Sequence, residues 1–224
     1  MMSQNPKVIY AVYGSSGFGR GVMPLARQQL LSQLHADHYE LIFIDDGKTL
    51  SSINGHKVFT FDEFLALECE QKYVAVAIAN SQIREKLVNK IDQAKLKHWS
   101  IQASTVISMD DVIIGEGAIL CNYVHFTSNI RVGRFFHANY YSYVAHDCVI
   151  GDYVTFAPGV KCNGNIHIED HAYIGTGAVI KQGTPDKPLV IGKGAVVGMG
   201  AVVTKSVPAG VTVVGNPARI LEKK

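Results

Sequence analysis

The stretch Ile114–Ile180, IGEGAILCNYVHFTSNIRVGRFFHANYYSYVAHDCVIGDYVTFAPGVKCNGNIHIEDHAYIGTGAVI, decides the fold. Read in steps of six, it places Ile114, Leu120, Phe126, Val132, Ala138, Val144, Ile150, Phe156, Cys162, Ile168, Ile174 and Ile180 in one register, and all are apolar. The residue four places later is mostly small or β-branched, as at Ala118, Val124, Ile130, Ser142, Cys148, Val154, Val160, Ala172 and Ala178. Glycine often follows the apolar position directly, at Gly115, Gly133, Gly151 and Gly175. A helix cannot hold this period, because six is not a multiple of 3.6, and a plain strand repeats every two residues. A six-residue repeat fits a parallel β-helix: each hexapeptide is one short face of a triangular coil, with the apolar residue inward and three hexapeptides to a turn. The register breaks at Gln182–Pro188 (QGTPDKP), an excursion rich in Pro and Gly, and resumes at Ile191, Val197 and Val203. Fifteen steps give about five coils.

Residues 1–105 read differently. Val8–Tyr13 is expected as a buried strand, and Gly14–Arg20 (GSSGFGR) as a tight glycine loop. Val22, Ala26, Leu30 and Leu34 then mark one face of a helix, with Pro24 expected in its first turn or so. Leu41–Ile44 reads as a second strand ending at Asp45-Asp46, Phe61–Leu67 as a short helix and Tyr73–Ala79 as a third strand. Ile83, Leu87 and Ile91 stripe a last helix. This alternation predicts an α/β domain with a small parallel sheet over residues 1–105, followed by the β-helix over 106–224.

Composition narrows the function classes. With 224 residues, 47% hydrophobic and 18% charged, the chain can bury a core. Its 21 Lys+Arg against 19 Asp+Glu leave a net charge of +2, too balanced for a partner such as bulk nucleic acid or an anionic membrane. No apolar run approaches a bilayer span, and the N-terminus lacks the pattern of a signal peptide. Cys69, Cys121, Cys148 and Cys162 form no CxxC pair and read as reduced thiols of a cytoplasmic protein.

His146 carries the case for chemistry. Val144 is inward, so His146 falls at an outward corner, with Asp147 directly after it. Histidine supplies a base that titrates near neutrality, and a neighbouring carboxylate orients the ring. Yet His146 is one of nine histidines, and a solvated side chain is the simpler reading of such a corner. His125, His137, His167 and His171 also lie in the coil, but no HxH or helical i,i+4 pair is present, so no metal is expected. Cys148 and Cys162 fall on inward or near-inward positions and read as core. In the first half Gly14, Gly17 and Gly19 follow a strand and open a helix, the context in which backbone N–H groups face an anion. The spacing is GxxGxG rather than the dinucleotide fingerprint GxGxxG. Asp45 or Asp46, about 26 residues after Gly19, would meet a ribose hydroxyl in a dehydrogenase.

A glycine-loop α/β domain, then a hexapeptide coil with AHDCVIGD (Ala145–Asp152) and CNGN (Cys162–Asn165), then VGNPARIL (Val214–Leu221), resembles the bacterial nucleotide-amino-sugar N-acetyltransferases. That family includes the enzyme of the N-acetylbacillosamine pathway, the perosamine N-acetyltransferases and sialic-acid O-acetyltransferase relatives. The resemblance covers nearly the whole chain. It implies a left-handed β-helix, a homotrimer, acetyl-CoA as co-substrate with no metal, and a nucleotide-linked amino-dideoxy sugar as acceptor, made for a surface polysaccharide or glycan. It also implies residue roles. His146 would be general base, aided by Asp147. Acetyl-CoA would meet Thr155, Gly164, Thr176 and the Gly198–Met199 pair, with Lys205 and Arg219 near its phosphates. Thr155 departs from the bacillosamine-pathway enzyme, which has a histidine there. The sugar nucleotide would meet Ser16, Gly17 and Phe18 at its diphosphate or sugar, Asp45 and Asp46 near the base, Ala79 in place of a glycine at the cleft, and Asn139. O-acetylation of sialic acid and a non-catalytic nucleotide-binding trimeric scaffold are the alternatives. Phe135, Tyr140, Tyr141 and Tyr143, expected to be outward, would favour a buried interface between copies.

Overall fold

The computed structural model describes residues 8–34 and 38–222. Two compact units divide between Gln102 and Ala103.

In the first unit β1 (Val8–Tyr13) occupies the expected span. It is followed by α1 (Gly17–Gln33), β2 (Tyr39–Ile44), β3 (Ser52–Ile53), β4 (His56–Phe59), α2 (Phe61–Ala66), β5 (Gln71–Val76), α3 (Ser81–Gln93) and β6 (Lys97–His98). The sheet order is β3-β4-β2-β1-β5-β6. All pairs are parallel except the β3–β4 hairpin, which the sequence reading had not anticipated. Its turn is Asn54-Gly55, with φ of 50° and 81°. Two successive positive φ values match the right-handed twist of the flanking strands, and Asn-Gly is the dipeptide that tolerates them. β1 lies at the centre, and Ala11, Val12, Ile42, Ile44 and Ala75 are fully buried or nearly so.

Several expectations shift. Val22, Ala26 and Leu30 are buried on α1, but Leu34 lies just past its end and is 37% exposed. Pro24 is the eighth residue of α1, not in its first turn, and removes the N–H that would reach the Arg20 carbonyl. β5 begins and ends earlier than Tyr73–Ala79, because the chain turns after Ala77 toward Asn80, whose side chain caps α3 by accepting from the Ile83 N–H (3.0 Å). That cap sets the phase of α3. Its buried face is Ser81, Arg84, Val88 and Ile91: of the expected stripe Ile91 is buried, whereas Ile83 is 48% exposed and Leu87 half-buried. Arg84 is fully buried, and its guanidinium donates to the carbonyls of Ile78 (2.8 Å) and Ala79 (3.3 Å). A polar requirement at the end of β5 thus takes precedence over the apolar stripe.

The second unit is a left-handed β-helix with three parallel faces. One face carries Ile119–Leu120, His137–Ala138, Thr155–Phe156, Tyr173–Ile174, Val196–Val197 and Thr212–Val214. The next carries Ile107–Ser108, His125–Phe126, Tyr143–Val144, Lys161–Cys162, Val179–Ile180 and Val202–Val203. The third carries Val112–Ile114, Ile130–Val132, Val149–Ile150, Ile166–Ile168 and Leu189–Ile191. Partners are 18 residues apart, as in Leu120↔Ala138 and Ala138↔Phe156, which is three hexapeptides to a coil. Across Gln182–Pro188 the separation widens to 23, as in Ile174↔Val197, and the repeat then resumes. Every inward position read from the sequence is buried except Ile114, which is partly buried against the same core.

The corners explain how the coil turns. The third residue after most inward positions takes a left-handed φ: Asn129 57°, Asp147 57° and Asn165 55° on one edge. Asn and Asp tolerate this region better than other side chains. On the other two edges the same corner is held by glycine, as at Gly117, Gly159 and Gly177, or by an aromatic ring. Tyr123 stacks on Tyr141 (5.1 Å), and Phe135, Tyr153 and His171 form a ladder with spacings of 5.3 and 5.1 Å. Ring stacking along an edge offsets the backbone cost. Phe135 is therefore 1% exposed, contrary to its expected outward place, whereas Tyr141 is 68% exposed.

Candidate active site

The His146 corner is built by three successive coils. Val144 pairs with Cys162 in the coil core, so His146, two residues on, stands at the edge above a residue of the next coil. Nδ1 of His146 lies 2.7 Å from Oδ2 of Asp147. The carboxylate can only accept, so Nδ1 carries a proton and Nε2 is the nitrogen turned away from Asp147. The ring's bond among the described residues is made through Nδ1, and Nε2 stands at the half-exposed side of the corner. Asn129, one coil earlier at the same left-handed corner, donates its amide to Oδ1 of Asp147 (3.2 Å). The bond from His146, and then that from Asn129, hold the Asp147 carboxyl below the usual carboxylate range. Both His146 and Asp147 side chains are 46% exposed.

One coil later, Gly164 forms the floor under the imidazole. A Cβ there would stand 2.5 Å from both Cε1 and Nε2 of His146. Only bare backbone lets the ring lie against this coil. The Asn165 N–H donates to the His146 carbonyl (3.0 Å), which fixes the backbone of the pair. The arrangement is an imidazole with one nitrogen tethered to a carboxylate and the other open, as a general base requires.

The other candidate residues fall into three groups. Gly164 and Lys205 share the edge of His146, since Val144, Cys162, Ile180 and Val203 align and each candidate lies two residues beyond its own alignment point. Asn139, Thr176, Gly198 and Met199 follow Ala138, Ile174 and Val197 and so lie on a different edge of the same protomer. Asn139 donates to the Phe156 carbonyl (3.0 Å), and Met199 is 81% exposed. Thr155 is buried at 3% exposure, and Arg219 is exposed on a terminal strand antiparallel to Thr212–Val214. Cys148 and Cys162 are fully buried in the coil, and burial pushes the Cys121 thiol up to about 12.

In the first unit the glycine loop is shaped by contact rather than by backbone freedom alone. A Cβ on Gly19 would stand 1.8 Å from the Gly14 carbonyl oxygen, so the loop and α1 meet at bare backbone. Gly17, by contrast, faces open space. Ser16 is the N-cap of α1 without a side-chain cap bond, and no acidic residue lies in the first turn. Ser16 and Gly17 are exposed and Phe18 half-buried, leaving an electropositive helix end open to an anion. Asp45 and Asp46 already have internal work. Asp45 accepts from the Ser15 N–H (3.1 Å), the Ser15 hydroxyl and the Gly47 N–H (3.0 Å). Asp46 accepts from Tyr13, the Phe61 N–H (2.8 Å) and Lys90 (3.1 Å). Burial alone would raise the pKa of Asp46, but these three bonds hold it below its ordinary value. Ala79 is exposed, and its carbonyl accepts from Arg84. Sequence reading missed Asn129 and Arg84; the 18-residue spacing of Asn129 and Asp147 was the available signal for the first.

Among the described residues no cluster of His, Cys, Asp or Glu could hold a metal ion, and no helix is long and apolar enough to cross a membrane. Residues 10–91 match the family described as the PglD N-terminal domain. The chain is 50% identical over 215 residues, 96% of its length and 97% of the relative's, to a GDP-perosamine N-acetyltransferase of Escherichia coli O157:H7. Among solved structures it is similar to WeeI from Acinetobacter baumannii AYE, with 63% identity, a TM-score of 0.91 and 96% and 100% of the two chains covered. It is also similar to the acetyltransferase domain of PglB from Neisseria gonorrhoeae FA1090 in complex with acetyl coenzyme A, with 27% identity, a TM-score of 0.81 and the same coverage. Full-length identity of this order, on a matching fold, settles the family: the chain belongs to the bacterial nucleotide-amino-sugar N-acetyltransferases.

Proposed function

We propose that this protein transfers the acetyl group of acetyl-CoA to the amino group of a nucleoside-diphosphate-linked 4-amino-4,6-dideoxy sugar, with His146 as general base. The observation that carries this reading is the tethered imidazole: Nδ1 bonded to Asp147 at 2.7 Å, and the ring resting on Gly164 with Nε2 free. His146 takes the proton of the sugar amine through Nε2 as the nitrogen adds to the thioester carbonyl. Asp147 stabilises the imidazolium that results and keeps the ring from turning. The coenzyme thiolate then departs, a fair leaving group because thiols ionise near pH 8.5. No side chain need be acylated, consistent with burial of both cysteines nearest the corner. In the first unit the open helix end at Ser16–Phe18 suits the sugar nucleotide's diphosphate, with Asp45 and Asp46 shaping the loop beside it. Asn139, Thr176, Gly198 and Met199 occupy another edge of the protomer, so they join His146 only if three copies pack edge to edge. A homotrimer is therefore part of the proposal.

The test is a panel of GDP-, UDP- and dTDP-linked amino sugars with acetyl-CoA, read by thiol release. One member should turn over with the wild type, and His146→Ala should lower its kcat/KM by roughly 10²–10⁴-fold while leaving the fold intact. Full activity of His146→Ala near neutral pH would remove His146 from the base role. Turnover of none of the sugars would remove the substrate class.

A further inference from the structure

Asn129 stands at the same left-handed corner as Asp147, one coil earlier, and the backbone alone does not account for it. The corner needs a φ of 57°, and the other two edges meet the same need with glycine at Gly117, Gly159 and Gly177. What the asparagine side chain adds is a second hold on a carboxylate. Oδ2 of Asp147 faces Nδ1 of His146 (2.7 Å), and Oδ1 accepts from Nδ2 of Asn129 (3.2 Å). Held by His146 alone, a carboxylate that is 46% exposed can turn about its Cβ–Cγ bond and exchange that partner for water. With its two oxygens engaged from two different coils, the plane of the carboxylate is set, and the imidazole bonded to it is set in turn.

The column continues one coil further back. Asp111 occupies the same corner with a φ of 54°, so the edge runs Asp111, Asn129, Asp147, in steps of about 4.8 Å. A neutral donor thus lies between two acids. Asp111 would compete for the Asn129 amide, but its carboxylate is already engaged. Nη2 of Arg131 reaches both Oδ1 and Oδ2 at 2.9 Å, and Nη1 donates to the Asp111 carbonyl (2.9 Å). Arg131 pairs with Val149, two residues past Asp147, so the guanidinium comes from the face that adjoins the corner. The other titratable groups on the elements around the dyad are His125, Tyr143 and Lys161 on the strands leading into the corner, the Cys148 thiol behind it, and His167 paired with Val149. Gly164 and Asn165 of the following coil bring none. We propose that Asn129 is a positioning residue of the transfer reaction: its amide locks the Asp147 carboxylate that orients His146, and the Arg131–Asp111 ion pair keeps that amide directed at Asp147. This rests on the general-base reading of His146 given above.

The experiment compares Asn129→Gly and Asn129→Asp with the wild type, using acetyl-CoA and the sugar nucleotide that the wild type accepts, across the pH range in which histidine titrates. Glycine keeps the left-handed corner and removes the amide; aspartate keeps the corner and puts a carboxylate where the donor was. Asn129→Gly should lower kcat roughly 3- to 30-fold, the worth of one partly exposed charge-assisted hydrogen bond, with KM for acetyl-CoA unchanged. Asn129→Asp should lose at least as much. It should also move the acid limb of the kcat/KM profile up by roughly half a pH unit, because a negative charge added beside Asp147 favours the imidazolium. Added salt should shrink that displacement. Arg131→Gln, which releases Asp111, should reproduce part of the kcat loss in the wild type and add nothing in Asn129→Gly. A wild-type kcat and pH profile in both Asn129 variants overturns the proposal, as does a loss that merely follows the fraction of folded protein by circular dichroism. Full additivity of Arg131→Gln and Asn129→Gly overturns the part given to the ion pair. His146→Ala separates the two levels: if it is inactive while the Asn129 variants match the wild type, only the positioning role falls, and if it is fully active the base reading falls and the positioning role with it.

Discussion

Replacing Gly164 by Ala separates the catalytic poise of His146 from the stability of the coil. The added Cβ would meet Cε1 and Nε2 at 2.5 Å, whereas ordinary contact begins at 3.4 Å. The imidazole must retreat by about 1 Å, a displacement worth on the order of 10² in rate when it falls on a catalytic group. Retreat is cheap for the fold, because the ring is 46% exposed and can swing toward solvent. The backbone offers no resistance either, since Gly164 does not use the left-handed region. Loss of chain freedom in the unfolded state by itself favours Ala by about 0.4–1 kcal/mol. The expected result is a kcat/KM about 100-fold below wild type, with the melting temperature unchanged or slightly higher. Thiol release with the accepted sugar gives the rate, and thermal unfolding followed by circular dichroism gives the stability. Because Gly164 also lies where the thioester would approach, the split matters: a displaced base lowers kcat, whereas a blocked cofactor channel raises KM for acetyl-CoA. Wild-type kcat/KM in Gly164→Ala, or activity lost only in proportion to folded protein, would refute the floor under the imidazole.

Three further outcomes are expected. Asp46 has a folded-state pKa below its ordinary value of 3.8, so it adds stability above that pH and loses it as pH falls through the lower folded value. Asp46→Asn should therefore unfold more easily than wild type at neutral pH, by about 1 kcal/mol once solvent screening is allowed for, and the gap should close below about pH 3.8; a gap constant with pH would show that the Tyr13, Phe61 and Lys90 bonds are not what Asp46 contributes. Phe156 is fully buried in the coil with its ring edge-on to Phe136 at 5.1 Å. Phe156→Ala should cost about 3–5 kcal/mol in chemical denaturation, and a loss under 1 kcal/mol would mean that the coil collapses around the gap. Light scattering at micromolar concentration should give about three times 24.4 kDa, and a monomer would leave Asn139, Thr176, Gly198 and Met199 apart from His146.

The sequence by itself determined the repeat, its inward positions, the break at Gln182–Pro188, the central strand Val8–Tyr13 and the outward corner of His146 beside Asp147. It could do so because a coil of 18 residues is three copies of a local pattern, and burial of one residue in six is visible without knowing what lies above or below. The β3–β4 hairpin is also legible, in Asn54-Gly55. Other features depended on neighbours that the local pattern does not name. The phase of α3 followed from Arg84, which turned inward to bond two carbonyls of the preceding loop. Phe135 is buried at its corner because Tyr153 stacks on it one coil later, and His171 in turn on Tyr153. The site belongs to this second kind. His146 has its base geometry because Asn129 lies 18 residues before Asp147 and Gly164 18 residues after His146, and only the stacking of coils brings those side chains, and the absence of one, against the ring.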